Sequence, residues 1–241
     1  MAFDPKSDSF PLTQHSVVLA ARSDDPKVRN WAVEAIASAY WRPVYKYLRM
    51  RWRIDSESAS DLTQEFFARL LEKDFLDAYD PGKGHLRTFL RTCADRLFLN
   101  QTRDAKRIKR GGAVTHVALD FEEAEQELAR AHAESPEDLF EKEWVRTLFG
   151  LAVERLRARC AAAGKLTHFQ LLERYDLAES DAPSYADLAR EFRLPVTDVT
   201  NYLTFARREF RRAVLDQLRE MTGSDDEFRR EARSLLGVEP K

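Results

Sequence analysis

Between Asp61 and Arg110 the sequence holds two helical stripes parted by a turn, and this pairing limits the fold more than any other stretch. Leu62, Phe66, Ala68, Leu70 and Leu71 recur near three- and four-residue spacings, which predicts a helix with Asp61, Gln64, Glu65 and Arg69 on its polar side. Asp80 to Gly84 reads DPGKG, and its proline and glycines end the periodicity. A second helix follows, with Leu86, Leu90, Cys93 and Leu97 as its buried stripe. Arg87, Arg91, Arg96, Arg103, Lys106, Arg107, Lys109 and Arg110 gather positive charge along its exposed side and towards its end. Nothing in this stretch has the make-up of a catalytic centre.

Composition decides what surrounds this hairpin. A chain of 241 residues holds one large or two small domains, and 44% apolar residues with only 8 glycines favour helix over sheet. A formal charge of −2 excludes a uniformly basic nucleic-acid coat, so any DNA contact must come from local basic faces. Cys93 and Cys160 lie in apolar helical patterns without metal spacing, which predicts free buried thiols in a reducing cytoplasm. No run approaches the roughly 18 apolar residues of a membrane span, and the start MAFDPKSDSF lacks a signal-peptide core. The expectation is a soluble cytoplasmic protein with no membrane partner. His15, His85, His116, His132 and His168 show no HExxH-like spacing, and there is no Gly-rich phosphate loop or nucleophile elbow. Neither an enzyme nor a bound cofactor or metal is expected.

Taken in order, Met1 to Pro11 reads as disordered, and a short helix from Thr13 to Arg22 is expected with Thr13 as its cap. From Lys27 to about Arg53, Trp31, Ile36, Tyr40, Val44, Tyr47 and Leu48 form an apolar face that Pro43 should kink or divide. Asp55 or Ser56 caps the next helix. After Gly111 and Gly112 come Asp120, Glu122, Glu123, Glu125, Glu127, Glu134, Glu137 and Asp138, read as an acidic linker with at most transient helix around Phe121 to Ala133. Helices are expected from Leu139 to Ala163 and from Thr167 to about Leu177. In Pro183 to Val214, a Ser184-capped helix carrying Tyr185, Leu188, Ala189 and Phe192 turns at Arg193 and Leu194 into one carrying Val199, Leu203, Ala206 and Phe210. That is the layout of a helix-turn-helix. A last helix from Asp225 to Leu236 carries no evident role. The fold class is therefore all-α.

DLTQEFFARL resembles the DLxQExF helix, and LRTFLRTCADRLFLNQTR the FRxWLxxIARNLxxDxxR helix, of bacterial RNA polymerase sigma factors of the extracytoplasmic-function group of the sigma-70 family. Phe89 stands where the family has Trp. The helix-turn-helix is similar to the family's domain 4, with Arg193 where Gly is common. The resemblance covers Trp31 to Arg110 and Trp144 to Glu220. It implies an N-terminal extension (1–26), sigma domain 2 (27–111), an acidic linker (112–138), a helix-turn-helix sigma domain 4 (139–222) and a C-terminal extension (223–241).

The resemblance also implies partners and sites. Core RNA polymerase would be met at its β′ clamp helices and β flap, with Asp61, Gln64 and Glu65 facing the clamp. The −10 promoter element would be met by the loop from Phe75 to His85, with Asp80, Lys83 and His85, and by Arg87, Asn100, Arg103, Lys106 and Arg107. Thr197, Asp198, Thr200, Asn201, Thr204, Arg207 and Arg208 would read or grip the −35 element, since hydroxyls and amides suit base edges and arginines suit phosphates. Many family members have an acidic DAED-like run before the contact helix, whereas this chain has SESAS, Ser56 to Ser60. Phosphorylation at Ser58, Ser60 or Thr63 by a Ser/Thr kinase could restore that charge, and an anti-sigma factor is the other class of regulator. The plain alternative makes these three hydroxyls caps and surface groups. For the whole chain the alternatives are a stand-alone helix-turn-helix regulator with a helical sensor and a helical interaction adaptor.

Overall fold

The computed structural model describes residues 16–72, 75–104, 119–130, 135–178 and 182–237. Among these the fold is all-α, with ten α-helices, one short 3-10 helix and no strand. The described residues fall into two compact units, one within residues 1–144 and 219–241 and the other within residues 145–218.

In the first unit, α1 (Val17–Ala20) is capped by the Ser16 hydroxyl, and the Thr13 start expected for it lies outside the described residues. Helix α2 (Pro26–Trp52) starts on the Asp25 carboxylate, with Pro26 where its missing N–H costs nothing. It runs through Pro43 instead of dividing there. Pro43 removes one backbone donor, and the burial of Ile36, Tyr40, Val44, Tyr47 and Leu48, at roughly 1.5–3 kcal/mol per large side chain, outweighs the loss. Trp31, expected in that stripe, is 40% exposed near the start of the helix.

Helix α3 (Ser56–Leu70) is capped by Asp55 and buries Ala59, Leu62, Thr63, Phe66, Phe67 and Leu70. A 3-10 helix (Phe75–Ala78) leads into α4 (Leu86–Asp104), whose buried stripe is Leu86, Leu90, Ala94 and Leu97. Ala94 takes the place expected for Cys93, which is only partly buried; both cysteines are free thiols.

The acidic segment read as a linker contains a packed helix, α5 (Phe121–Arg130). Phe121 meets Trp41 edge-on at 5.5 Å and Tyr45 at 4.9 Å between ring centroids, and Ala124 is fully buried. Its carboxylates find cations on α2: Arg49 bonds Glu125 at 2.6 and 2.7 Å, and Arg42 reaches Glu123 and Glu127. Lys46, 2% exposed, lies 2.7 Å from Glu127 and 2.8 Å from Glu143. These cations lie some eighty residues earlier in the chain, so the acidic run taken alone does not contain what packs it.

Helix α6 (Pro136–Ala162) begins in the first unit, where Trp144 lies against Tyr40 and Phe140 against Tyr47. The C-terminal residues belong to the same unit: α10 (Asp225–Leu236), capped by Ser224, buries Glu227, Phe228, Glu231 and Ala232. The second unit holds α7 (Leu166–Asp176), α8 (Tyr185–Phe192) and most of α9 (Val196–Glu220). Its core has two clusters, Leu156, Cys160, Phe169, Leu172 and Ala206 in one, and Leu171, Leu188, Ala189, Val199 and Leu203 in the other.

Candidate functional site

On α3, Asp61 is exposed while Gln64 and Glu65 are half-buried. Glu65 is tied to Arg69 at 2.6 Å one turn on, and the Gln101 amide from α4 also reaches its carboxylate. The ridge thus presents a free Asp61 and a Glu65 whose acceptor capacity is partly used. Exposed pairs of this kind contribute about 0–1 kcal/mol, so Glu65 can exchange partners at small cost.

The three hydroxyls differ. Thr63, expected as a phosphorylation site or a surface hydroxyl, is 0% exposed and donates to the Ala59 carbonyl at 2.7 Å. It lies four residues after Ala59 and three before Phe66, inside the apolar stripe. Ser60 is half-buried near Gln64. Ser58 is exposed, but its hydroxyl donates to the Asp55 carboxylate at 2.8 Å, so a phosphate there would meet a carboxylate and strain the α3 cap.

The loop before α4 is built from rings and a tight turn. Phe75 and Phe89 are 6.4 Å apart and Tyr79 is 5.4 Å from Phe89, so the base of the loop is aromatic. At the tip the Asp80 carboxylate accepts from the Gly82 N–H at 2.9 Å with Lys83 3.4 Å away, which holds its carboxyl below the usual range. The Lys83 side chain is 85% exposed.

Below the tip the charges turn inward. Glu227 of α10 accepts from the Tyr79 hydroxyl at 2.6 Å, the Leu86 N–H at 3.0 Å and the Gly223 N–H at 2.7 Å. Burial, with Glu227 beside it, pushes the Tyr79 phenol above its usual range. Arg87, expected on the DNA face, bonds Glu141 at 2.6 Å, pairs with Glu231 and lies 4.6 Å above the Trp144 ring. Only 13% of its side chain is exposed, so it belongs to the interior. His85 Nδ1 is 2.7 Å from Glu231, yet burial and then Arg87 hold the imidazole below its usual range, because Arg87 already answers that carboxylate. His85, Glu227 and Glu231 bring donor atoms within 4.8 Å of one another, but the nearby guanidinium and the three donors already on Glu227 oppose an added cation.

Farther along α4, Arg91 lies over the Tyr47 and Phe140 rings, and Asn100 is exposed. Arg103 is in the last turn of α4; its side chain, with Lys106 and Arg107, lies outside the described residues.

In the second unit, Ser184 and Asp187 form a reciprocal capping box at the start of α8. Arg193 ends α8 with φ 56°, the left-handed conformation that suits the glycine common at this position, and the Leu194 N–H closes the turn on Ala189 O at 2.9 Å. On α9, Thr197, Thr200, Asn201 and Thr204 are exposed and Asp198 is half-buried. Thr200 and Thr204 donate their hydroxyl protons to carbonyls one turn back, at 3.1 and 2.8 Å, which leaves oxygen lone pairs to accept. Arg207 forks onto Asp176 at 2.8 and 2.9 Å and lies over Tyr175, so it is held within the unit. Arg208 is 71% exposed.

The carboxylates of α5 were expected only as the charge of a linker, and Glu227 and Glu231 of α10 were not among the expected residues. The signal was available in α10: Glu227 and Glu231 recur at a four-residue spacing beside Phe228 and Ala232, so two acids share the apolar face.

No helix among the described residues is long and apolar enough to cross a membrane. No curated protein and no solved structure matches the chain. Residues 36–108, a stretch that begins within α2 and takes in α3 and α4, are similar to the family model described as Sigma-70 region 2.

Proposed function

We propose that the chain is a sigma subunit of the extracytoplasmic-function group, which binds core RNA polymerase, directs it to −10 and −35 promoter elements and promotes melting of the duplex. The observation that carries this reading is the region 2 match over α2 to α4, where α3 offers Asp61, Gln64 and Glu65 on its outer side. Those acceptors suit basic clamp helices of the β′ subunit. The β flap is the proposed partner of residues 139–222, taken as sigma domain 4.

The subunit makes and breaks no covalent bond. Its work is to offset the few kcal/mol that unstacking a base costs, by contacts around the Asp80–His85 loop and by phosphate attraction along the later part of α4. Lys83, Asn100, Arg103, Lys106 and Arg107 remain the proposed −10 contacts; Arg87 does not. Helices α8 and α9 are proposed as the helix-turn-helix, with Asn201 and the exposed threonines towards base edges and Arg208 on phosphate. Control by an anti-sigma factor is favoured over a kinase acting at the α3 start, because Thr63 is buried and Ser58 caps a helix through Asp55.

The test is reconstitution with bacterial core polymerase and footprinting of promoter opening. Open complexes are expected with the full chain, and replacing Lys83 and Arg103 together should reduce opening of duplex DNA while sparing core binding. Pre-melted DNA should partly rescue that variant. Specific DNA binding at full strength without polymerase, and no association with core enzyme, would defeat the reading in favour of a stand-alone regulator.

A further inference from the structure

Glu227 of α10 accepts three hydrogen bonds, two of them from the loop and from the start of α4. One carboxylate, 1% exposed, holds the Tyr79 phenol of the loop, the first amide of α4, and the Gly223 amide that begins its own segment. Leu86 N is one of the amides that a helix start leaves without an internal partner, and it donates to the Glu227 carboxylate. An anionic acceptor at a helix start is favoured doubly, by the hydrogen bond and by the dipole.

The neighbouring contacts act in the same direction. Arg230 donates to the Pro81 carbonyl at 3.2 Å, Glu231 engages Arg87, and the Ser16 hydroxyl donates to the Thr222 carbonyl. From the turn after α1, Arg22 donates to the carbonyls of Leu76 at 2.7 Å and Tyr79 at 2.6 Å. A Cβ at Gly223 would come within 3.0 Å of the Tyr79 ring and 3.3 Å of Pro81, so the backbone there runs close against the loop. Meanwhile Lys83 and Asp80 at the tip stay outside this grip, with side chains 85% and 49% exposed.

We propose that α10 is a positioning element for the Phe75–His85 loop: Glu227 sets the base of the loop and the first turn of α4, so that the exposed tip meets DNA already ordered. The consequence for opening rests on the function proposed above, while the ordering itself does not. Binding by an ordered loop avoids the entropy of fixing it on contact. The C-terminal helix thereby acts in the −10 step although it lies more than a hundred residues from the loop in the chain. Glu227 is a positioning residue and touches no DNA.

Hydrogen exchange on the full chain reads the ordering directly. Glu227→Ala should speed exchange of the amides between Leu76 and Phe89 by roughly tenfold to a hundredfold, as expected for a lost charge-assisted bond, with α3 unchanged. Glu227→Gln retains an acceptor for the Leu86 N–H and should recover part of the protection. Tyr79→Phe removes one contact only and provides a milder variant should Glu227→Ala fold poorly, as judged by helical circular dichroism. Unchanged exchange in the loop for a folded Glu227→Ala overturns the proposal.

With core polymerase, Glu227→Ala should lower opening of duplex promoter by about tenfold or more while core affinity stays within about twofold, and pre-melted DNA should recover it. Opening equal to that of the native chain overturns the proposal. If the native chain opens no promoter, the sigma reading fails, and the exchange experiment still decides whether α10 orders the loop.

Discussion

The basic residues of the first unit and those of α9 look alike in the sequence and are used differently. Arg42, Lys46, Arg49 and Arg87 are drawn against carboxylates from α5, α6 and α10, and Lys46 and Arg87 are almost wholly enclosed. On α9, Arg208, Arg211 and Arg212 remain exposed, as do Thr197, Thr200, Asn201 and Thr204. Positive charge therefore has two jobs in one chain. In the first unit it fastens acidic helices to α2 and α4, where geometry must be close because desolvating both charges is costly. At Arg208, Arg211 and Arg212 of α9 it stays in water, where it can meet phosphate, while Arg207 of the same helix is held on Asp176.

The largest expected effect tests the enclosed side of this contrast. Lys46→Ala leaves Glu127 and Glu143 without their shared cation, and removal of one partner from a buried set of charges costs about 3–5 kcal/mol. Urea unfolding should show that loss; a change below about 1 kcal/mol would mean that Lys46 behaves as a surface residue. Next come the exposed groups of α9. Asn201→Ala should cost about 1–3 kcal/mol of discrimination at one base pair of the −35 element, whereas Arg208→Ala should weaken binding across sequences and reduce the salt slope by about one. Binding selections on randomised −35 DNA check the first claim and salt titrations the second. If the selected sequences are the same with Asn201→Ala as with the native chain, the reading face lies elsewhere.

A smaller effect concerns the turn itself. At φ 56°, Arg193 bears a cost that glycine would not, so Arg193→Gly should stabilise the second unit by about 0.5–1 kcal/mol without altering the exposed charge of α9. A fall in stability would show that the Arg193 side chain contributes more than its backbone strain removes. The smallest effect is that of His168, which stacks on Tyr202 at 3.9 Å between centroids and is held below its usual range by burial and then by Lys165. Above about pH 6.5 both folded and unfolded forms are neutral; as pH falls through that value the unfolded chain takes the proton first, so stability declines. His168→Phe should flatten the thermal midpoint between about pH 7.5 and 5.5. An equal decline in the variant would assign the pH dependence to other groups.

Local pattern carried much of the fold. The limits of α10 agree with the expected Asp225–Leu236, Ser184 caps α8, and Asp55 caps α3, because caps and apolar spacings act within a few residues. Thr63 and Trp31 depart from expectation in opposite senses, the first buried and the second 40% exposed. Thr63 was already at core spacing, and its hydroxyl obscured that by resembling a surface group, since a helix lets threonine satisfy itself on the carbonyl four residues back.

What the sequence by itself determined is the helical class, the order of the α-helices other than α5, the two motif-bearing helices of the Sigma-70 region 2 match and the exposed threonines and Asn201 of α9. What only the tertiary structure decided is which charges are spoken for. Arg87 reads as a solvated basic residue until Glu141, Glu231 and Trp144 arrive around it, and the acidic run after Asp120 reads as a linker until α2 supplies Arg42, Lys46 and Arg49. The physical reason is range. Helix propensity and capping are settled by neighbours in the chain, whereas the free energy of a charge depends on which opposite charge and how little water surround it, and those come from residues distant in sequence.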